Sequence, residues 1–197
     1  MPGVTGTAGN HWGPSGDLQG VDADQVADVL GTAASAGVLL IVGVVLLRLL
    51  APARFAAVQS AVRGSGPALG ALVAGLAMAG SLWFSEAAHF PPCELCWFQR
   101  IAMYPLGVVL FVAALRRDPG IRPYGLVLAG LGLAVSAWHN VVETFPSVPA
   151  GSCDPVNLCT IRWVEGLGFW TIPRMAFVAF ALVLTVLLID RPLPEEP

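Results

Sequence analysis

Four cysteines are the residues of this chain with the clearest capacity for chemistry, and they form two pairs. Cys93 and Cys96 are separated by two residues in the stretch Pro-Cys-Glu-Leu-Cys-Trp-Phe-Gln-Arg at positions 92–100. Cys153 and Cys159 are separated by five residues and enclose an Asp-Pro turn signal. Such pairs can exchange disulfides, form static disulfides or ligate zinc, so their surroundings must decide between these uses.

The first pair is predicted to begin a helix. Pro91 and Pro92 cannot continue a preceding helix, and Pro92 suits the first turn of a new one. Cys93 and Cys96 are then expected in that first turn, where the partial positive charge of a helix N-terminus stabilises a thiolate. Arg100 follows Cys96 by four residues, so it is expected on the same helix face, one turn deeper.

Two interpretations of Arg100 follow from this position. Its long side chain can snorkel from a helix end toward lipid headgroups. Alternatively, it stabilises the Cys96 thiolate and donates hydrogen bonds to an oxygen of an electron acceptor. His139, toward the end of a later apolar segment, is a second candidate for lining such a site, although a histidine there is more commonly an interface residue.

The composition determines the elements that must hold these residues. The chain is 56% hydrophobic and 12% charged, with a mean hydropathy of +0.73. Five segments approach the roughly 20 apolar residues that a membrane-spanning helix needs. We therefore predict an all-α, polytopic membrane protein: a four-helix transmembrane bundle plus one extra N-terminal transmembrane helix. The sequence contains no basic patch of the kind that would indicate nucleic-acid binding. The predicted spans are residues 29–47, 64–85, 97–115, 123–142 and 166–189, the last with its most apolar part at 175–189.

Arginine placement predicts the orientation. All ten basic residues are arginine, and seven of them lie between the first and second helices, between the third and fourth, or in the C-terminal tail. The positive-inside rule places these segments in the cytoplasm. The N-terminus and all four cysteines are then extracytoplasmic, where disulfides form. The seven are Arg48, Arg54, Arg63, Arg116, Arg117, Arg122 and Arg191.

The segment before the last helix carries two further signals. Trp163, Leu167 and Trp170 recur at positions i, i+4 and i+7, which predicts a short helix lying in the membrane interface. Thr171 is expected to cap the last span, with Pro173 in its first turn.

The order of these motifs resembles the disulfide-bond formation protein B (DsbB) family. The similarity consists of Cys-x-x-Cys followed by two aromatics, Gln99 and Arg100, then a second cysteine pair, then Gly-Phe-Trp-Thr-Ile-Pro opening the last helix. Gln99 and the five-residue spacing of the second pair resemble the Gram-positive, BdbC-like branch. The resemblance covers about residues 64–189. It implies a bacterial inner-membrane enzyme that reoxidises a thioredoxin-like, DsbA-type disulfide donor protein and passes the electrons to ubiquinone or menaquinone.

The resemblance also implies roles for individual residues. Cys96 would engage the quinone ring, Cys93 would be its disulfide partner, and Arg100 would hold a quinone carbonyl. His139 matches a quinone-site position by approximate location.

In the second pair, the resemblance makes Cys153 the sulfur attacked by the donor protein and Cys159 its resolving partner.

The expected domains are a disordered extracytoplasmic tail over residues 1–28, an accessory transmembrane helix over 29–50, a four-helix catalytic domain over 64–190 and a cytoplasmic tail over 191–197. Two alternatives remain. One is a membrane interaction protein with static disulfides or a four-cysteine metal site, and the other is an enzyme resembling vitamin K epoxide reductase.

Overall fold

The computed structural model describes residues 22–148, 153 and 157–190, and the described chain is built from six α-helices. A π-helical turn, Trp83–Ala87, extends α3, and a short 3-10 turn, Pro119–Ile121, precedes α5. The helices are α1 (Ala23–Leu50), α2 (Pro52–Ala61), α3 (Gly66–Leu82), α4 (Glu94–Arg116), α5 (Arg122–Thr144) and α6 (Ile172–Ile189).

Five of these helices are long and apolar enough to cross a membrane, which confirms the predicted all-α, multi-pass fold. They are α1, α3 with its π-helical extension, α4, α5 and α6. The last four pack on one another around a core that contains Leu106, Leu110 and Phe180, and α1 packs against α6 from outside this bundle. The architecture is therefore the expected four-helix bundle with one additional N-terminal helix.

The first helix begins earlier than predicted. Asp22 caps it by accepting a hydrogen bond from the Gln25 backbone N–H at 2.7 Å, so the helix starts at Ala23 instead of residue 29. Residues 23–28, which the sequence assigned to a disordered tail, are therefore helical. The rest of that tail, residues 1–21, and the C-terminal tail, residues 191–197, lie outside the described residues.

The two ends of the bundle differ. At one end, α3 and α5 finish and α4 and α6 begin, and we call this the cysteine end. The opposite end holds the short helix α2, which was not predicted. There Asp190 Oδ1 accepts a hydrogen bond from the Gly64 backbone N–H at 2.6 Å, and Arg122 Nε donates to the Leu187 carbonyl at 2.8 Å. These contacts tie the ends of α3, α5 and α6 together away from the cysteines.

The predicted interfacial helix around Trp163, Leu167 and Trp170 is wrong. Gly166 and Trp170 pair instead through two backbone hydrogen bonds of 2.9 and 2.7 Å, closing a tight turn. Leu167 and Gly168 both have left-handed backbone angles, with φ of 51° and 70°, and consecutive residues of that kind cannot continue a right-handed helix. The turn leads directly into Thr171, which occupies the predicted N-cap position of α6, but its hydroxyl donates to Glu143 and makes no capping hydrogen bond.

Candidate functional site

The first cysteine pair lies at the start of α4, slightly offset from its predicted position. Cys93 is the N-cap, and its Sγ accepts a hydrogen bond from the Cys96 backbone N–H at 3.3 Å. Pro92 therefore precedes the cap and does not occupy the first turn. Both cysteines are free thiols, with their sulfur atoms 2.8 Å apart. The spacing thus places the two sulfurs side by side at a helix N-terminus, as exchange chemistry requires.

The second pair is a disulfide that packs onto the first. Cys153 and Cys159 are bonded, with their Cα atoms 5.9 Å apart. Cys159 is only 2% exposed and belongs to the same buried cluster as Cys93 and Val142, whereas Cys153 is half-buried at its edge. A four-cysteine metal site is incompatible with this disulfide, because two of the four thiolates are consumed.

His139 connects the two pairs from the middle of this cluster. Its Nε2 lies 3.1 Å from the Cys159 carbonyl oxygen and 3.8 Å from Cys93 Sγ, and its Nδ1 lies 3.0 Å from Gln99 Nε2. Because a carbonyl oxygen only accepts, Nε2 carries the proton, and Nδ1 accepts from the Gln99 amide. The ring is thereby held in one orientation, with its Nε2–H directed at the disulfide loop and at Cys93.

These surroundings stabilise a thiolate at Cys93. The hydrogen bond from the Cys96 side chain lowers the pKa of the Cys93 thiol below its ordinary value, and His139 acts in the same direction. Burial opposes the shift without cancelling it. Cys93 is therefore prepared to react as a thiolate or to leave as one when a disulfide at this position is attacked.

A cavity of about 390 Å³ opens beside Cys96, between α1, α3, α4 and α6. Its volume lies in the range of small-molecule binding sites. Cys96, Gln99 and Arg100 contribute polar groups at the cysteine end, and most of the remaining wall is apolar. Such a cavity suits a hydrophobic ligand that carries a polar group at one end.

A second cavity of about 20 Å³, roughly the space of one water molecule, lies on the other side of Cys96. Cys93, His139 and Glu143 line it, whereas His139 is not among the residues around the larger cavity. Cys96 borders both cavities, so it is the sulfur that separates the buried cysteine cluster from the larger cavity.

Arg100 crosses from α4 to α3 within the bundle. Its Nε donates to Ser81 Oγ at 3.0 Å, its Nη2 donates to the Ser81 carbonyl at 2.9 Å, and its guanidinium stacks over Trp97 at 5.4 Å. A snorkelling side chain would extend toward the headgroups instead. The observed path keeps a permanent cation on the wall of the larger cavity, one turn below Cys96.

Glu143 is a buried charged residue that the sequence reasoning missed. Its Oε1 accepts a hydrogen bond from the Thr171 hydroxyl at 3.1 Å and lies 3.4 Å from Arg162 Nε and 3.7 Å from Arg174 Nη2. It therefore joins the end of α5 to the segment after Cys159 and to the start of α6. An acidic residue one turn after His139, at the end of an apolar helix, was the available signal.

Three of the site residues also have the geometry of metal ligands. The candidate ligand atoms of Cys93, Cys96 and His139 lie within 4.8 Å of one another. Two thiolates and an imidazole are ligands that zinc accepts, so metal content must be measured alongside redox behaviour.

Comparison with known proteins places this chain among proteins of disulfide bond formation, in which cysteine pairs are expected. The family described as "Disulfide bond formation protein DsbB" matches residues 63–189. A protein named probable disulfide formation protein, from Oceanobacillus iheyensis, is 44% identical over 111 residues, covering 55% of this chain and 76% of that protein. Disulfide bond formation protein C of Bacillus subtilis is 40% identical over 114 residues, covering 57% and 83%. A probable disulfide formation protein of Deinococcus radiodurans is 44% identical over 126 residues, covering 59% and 82%. No solved structure matches the chain.

Proposed function

We propose a specific reaction from the premise that this chain belongs to the DsbB family and is a multi-pass membrane oxidoreductase of disulfide bond formation. The reaction is the reoxidation of a thioredoxin-like, DsbA-type donor protein, with the electrons passed to a membrane quinone, ubiquinone or menaquinone. The observation that carries the proposal is the position of Cys96, between the buried cysteine cluster and the larger cavity.

The difference in exposure between Cys153 and Cys159 sets the order of the steps with the donor protein. A thiolate of the donor attacks Cys153, the more accessible sulfur, and breaks the Cys153–Cys159 bond. The donor's second thiolate then displaces Cys153, so the donor leaves as a disulfide and two electrons remain on Cys153 and Cys159. The two protons that the donor's thiols lose pass to Cys153 and Cys159, and Cys159 releases its proton again before the next exchange.

The packing of Cys159 beside Cys93 sets the order of the exchange between the two cysteine pairs. Cys159 lies in the same buried cluster as Cys93, so its thiolate attacks Cys93 when Cys93 and Cys96 are disulfide-bonded. Cys153 then restores the Cys153–Cys159 disulfide and leaves the first pair reduced.

Residues of the larger cavity fit a quinone. A bound quinone supplies a two-electron acceptor that becomes a quinol on taking up two protons. Cys96 lines this space, and Arg100 offers a guanidinium that can donate to a carbonyl oxygen. We propose that His139, which lines the smaller cavity, stabilises the Cys93 thiolate and holds the loop carbonyl of Cys159 instead of touching the quinone.

The orientation is part of the proposal. Arginines predominate at the end of the bundle opposite the cysteines, which supports a cytoplasmic location for that end by the positive-inside rule. The N-terminus and all four cysteines are then extracytoplasmic, where a soluble donor protein reaches Cys153, and the C-terminus is cytoplasmic.

A redox titration tests this function against a static role for the cysteines. We expect both cysteine pairs to have reduction potentials above about −300 mV. Purely structural disulfides have lower reduction potentials and stay oxidised under these conditions. Alkylation of the released thiols followed by mass measurement reads both pairs separately. Reduction of neither pair until far below that potential, or stoichiometric zinc in the purified protein, would support the static or metal-binding alternative.

Replacing Arg100 with alanine tests the proposed carbonyl contact. A hydrogen bond to a charged group contributes about 1.5–3 kcal/mol, so we expect the KM for quinone to rise roughly 10- to 100-fold. Steady-state kinetics at varied quinone concentration give this value. Ser81→Ala is the matched control, because it removes the hydroxyl partner of Arg100 but keeps the cation in the cavity. Equal KM values for wild type and Arg100→Ala would assign Arg100 to helix packing alone.

A further inference from the structure

The extra helix α1 forms one wall of the larger cavity. The family match covers residues 63–189, so α1 lies outside it. Nevertheless, six residues on one side of α1 line the cavity. They are Leu30, Ala33, Ala34, Ala36, Gly37 and Leu40.

This wall is fixed in place by specific contacts. At the cysteine end, Asp28 Oδ1 accepts a hydrogen bond from the Leu167 backbone N–H at 2.7 Å, and Trp170 Nε1 donates to Ser35 Oγ at 2.9 Å. Farther along, α1 approaches α6 so closely that a Cβ added at Gly37 would lie 2.7 Å from Leu182. The helix therefore holds one register and one face against the bundle.

The cavity is polar at one end and apolar at the other. Arg100, Cys96 and Ser81 lie at the cysteine end, where α3 finishes and α4 begins. Along α1, the wall continues from Leu30 to Leu40, about 15 Å at the rise of an α-helix. The deeper part is lined by apolar side chains, which include Leu40, Val73 and Leu182.

We propose that α1 is part of the quinone site and that its deeper residues, Ala36, Gly37 and Leu40, contact the isoprenoid tail. The inference rests on the proposed function, because the ring must sit at Cys96 and Arg100 for the tail to extend along α1. The small side chain at Ala36 leaves space that the tail occupies, whereas Gly37 allows the close approach of α1 to α6. Recognition of the tail is then a property of a helix that the family match does not include.

Direct binding measurements on the full chain test this inference. The variant is Ala36→Phe, which fills the tail region, and the control is Gly43→Phe, on the same helix at a position where an added Cβ meets nothing within 4 Å. The probes are a naphthoquinone with a polyisoprenoid tail and its tailless methyl analogue, with a benzoquinone pair as a second set. Quenching of tryptophan fluorescence reports the Kd of each.

We expect Ala36→Phe to raise the Kd of the tailed quinones about tenfold or more, since the phenyl ring would take the space of an isoprene unit and overpacking a filled site is unfavourable. The Kd of the tailless quinones should stay within about twofold of the wild-type value, because their ring contacts are distant from residue 36. Gly43→Phe should leave the Kd of both tailed and tailless quinones unchanged, because a side chain there meets no part of the cavity wall. Equal weakening of tailed and tailless quinones, or no weakening of either, would overturn the inference and leave the proposed function standing. Failure of the wild type to bind any of the quinones would overturn both.

Discussion

Replacing Cys96 with alanine is expected to abolish catalytic quinone reduction by a reduced donor protein. Cys96 is the sulfur that borders the larger cavity, and without it the Cys93–Cys96 disulfide cannot form. The loop disulfide, Cys153–Cys159, remains intact and can still oxidise the donor once. The expected result is therefore a single equivalent of donor oxidised per protein, with quinone loss at the rate seen without protein.

Tyr104→Phe is the matched control for this experiment. Tyr104 lines the same cavity and donates a hydrogen bond to Ser81 Oγ at 3.3 Å, but it takes no part in the proposed electron route. It should keep turnover within about tenfold of wild type, the scale of one neutral hydrogen bond. Continued multiple turnover by Cys96→Ala would show that electrons reach the acceptor without passing through Cys96.

A covalent complex with the donor protein is the second large effect that we expect. In Cys159→Ala, Cys153 is left as a free thiol that can attack the disulfide of an oxidised donor. No neighbouring Cys159 remains to resolve the product from this side, so the mixed disulfide should accumulate. Non-reducing electrophoresis followed by mass spectrometry identifies the linked residue.

The reciprocal variant, Cys153→Ala, is the control for the trapping experiment. It keeps Cys159, which is 2% exposed and lies within the cluster around Cys93, so a soluble donor should not reach it. Accumulation of the complex on Cys159 in this variant, with none in Cys159→Ala, would reverse the assignment of the attacked sulfur.

The features that depend on spacing and hydropathy were predictable from the sequence. Apolar length predicted the five spanning helices, and the helix period placed Arg100 one turn below Cys96, on the cavity wall that the structure shows. Proline chemistry located the start of α4 to within two residues, because Pro92 proved to precede the Cys93 cap.

Features that depend on tertiary contacts were not predictable. The turn at Leu167 was mistaken for a helix because three apolar residues happened to match a helical period, whereas its backbone is left-handed. Glu143 falls at the edge of a predicted span, and its pairing with Arg162 and Arg174 requires segments distant in sequence to meet. Likewise, only the packing of α1 on α6 reveals that the extra helix borders the cavity.

The roles of Cys93 and Cys96 also divide into a part that the sequence predicted and a part that depends on tertiary contacts. The resemblance assigned the quinone-engaging thiolate to Cys96 from its motif position, and Cys96 does border the larger cavity. Contacts with the Cys96 side chain and with His139 lower the pKa of the Cys93 thiol. Motif position thus singled out the cysteine that borders the larger cavity, and only the three-dimensional structure shows that His139 lies beside Cys93.

The most direct measurement of the central claim combines purified wild-type protein, a reduced thioredoxin-like donor and a quinone, with donor thiols and quinone absorbance followed together. The account predicts many turnovers, with one quinone reduced for each donor dithiol oxidised, since both are two-electron changes. A donor that stays reduced, or one that is oxidised without loss of quinone, would contradict it.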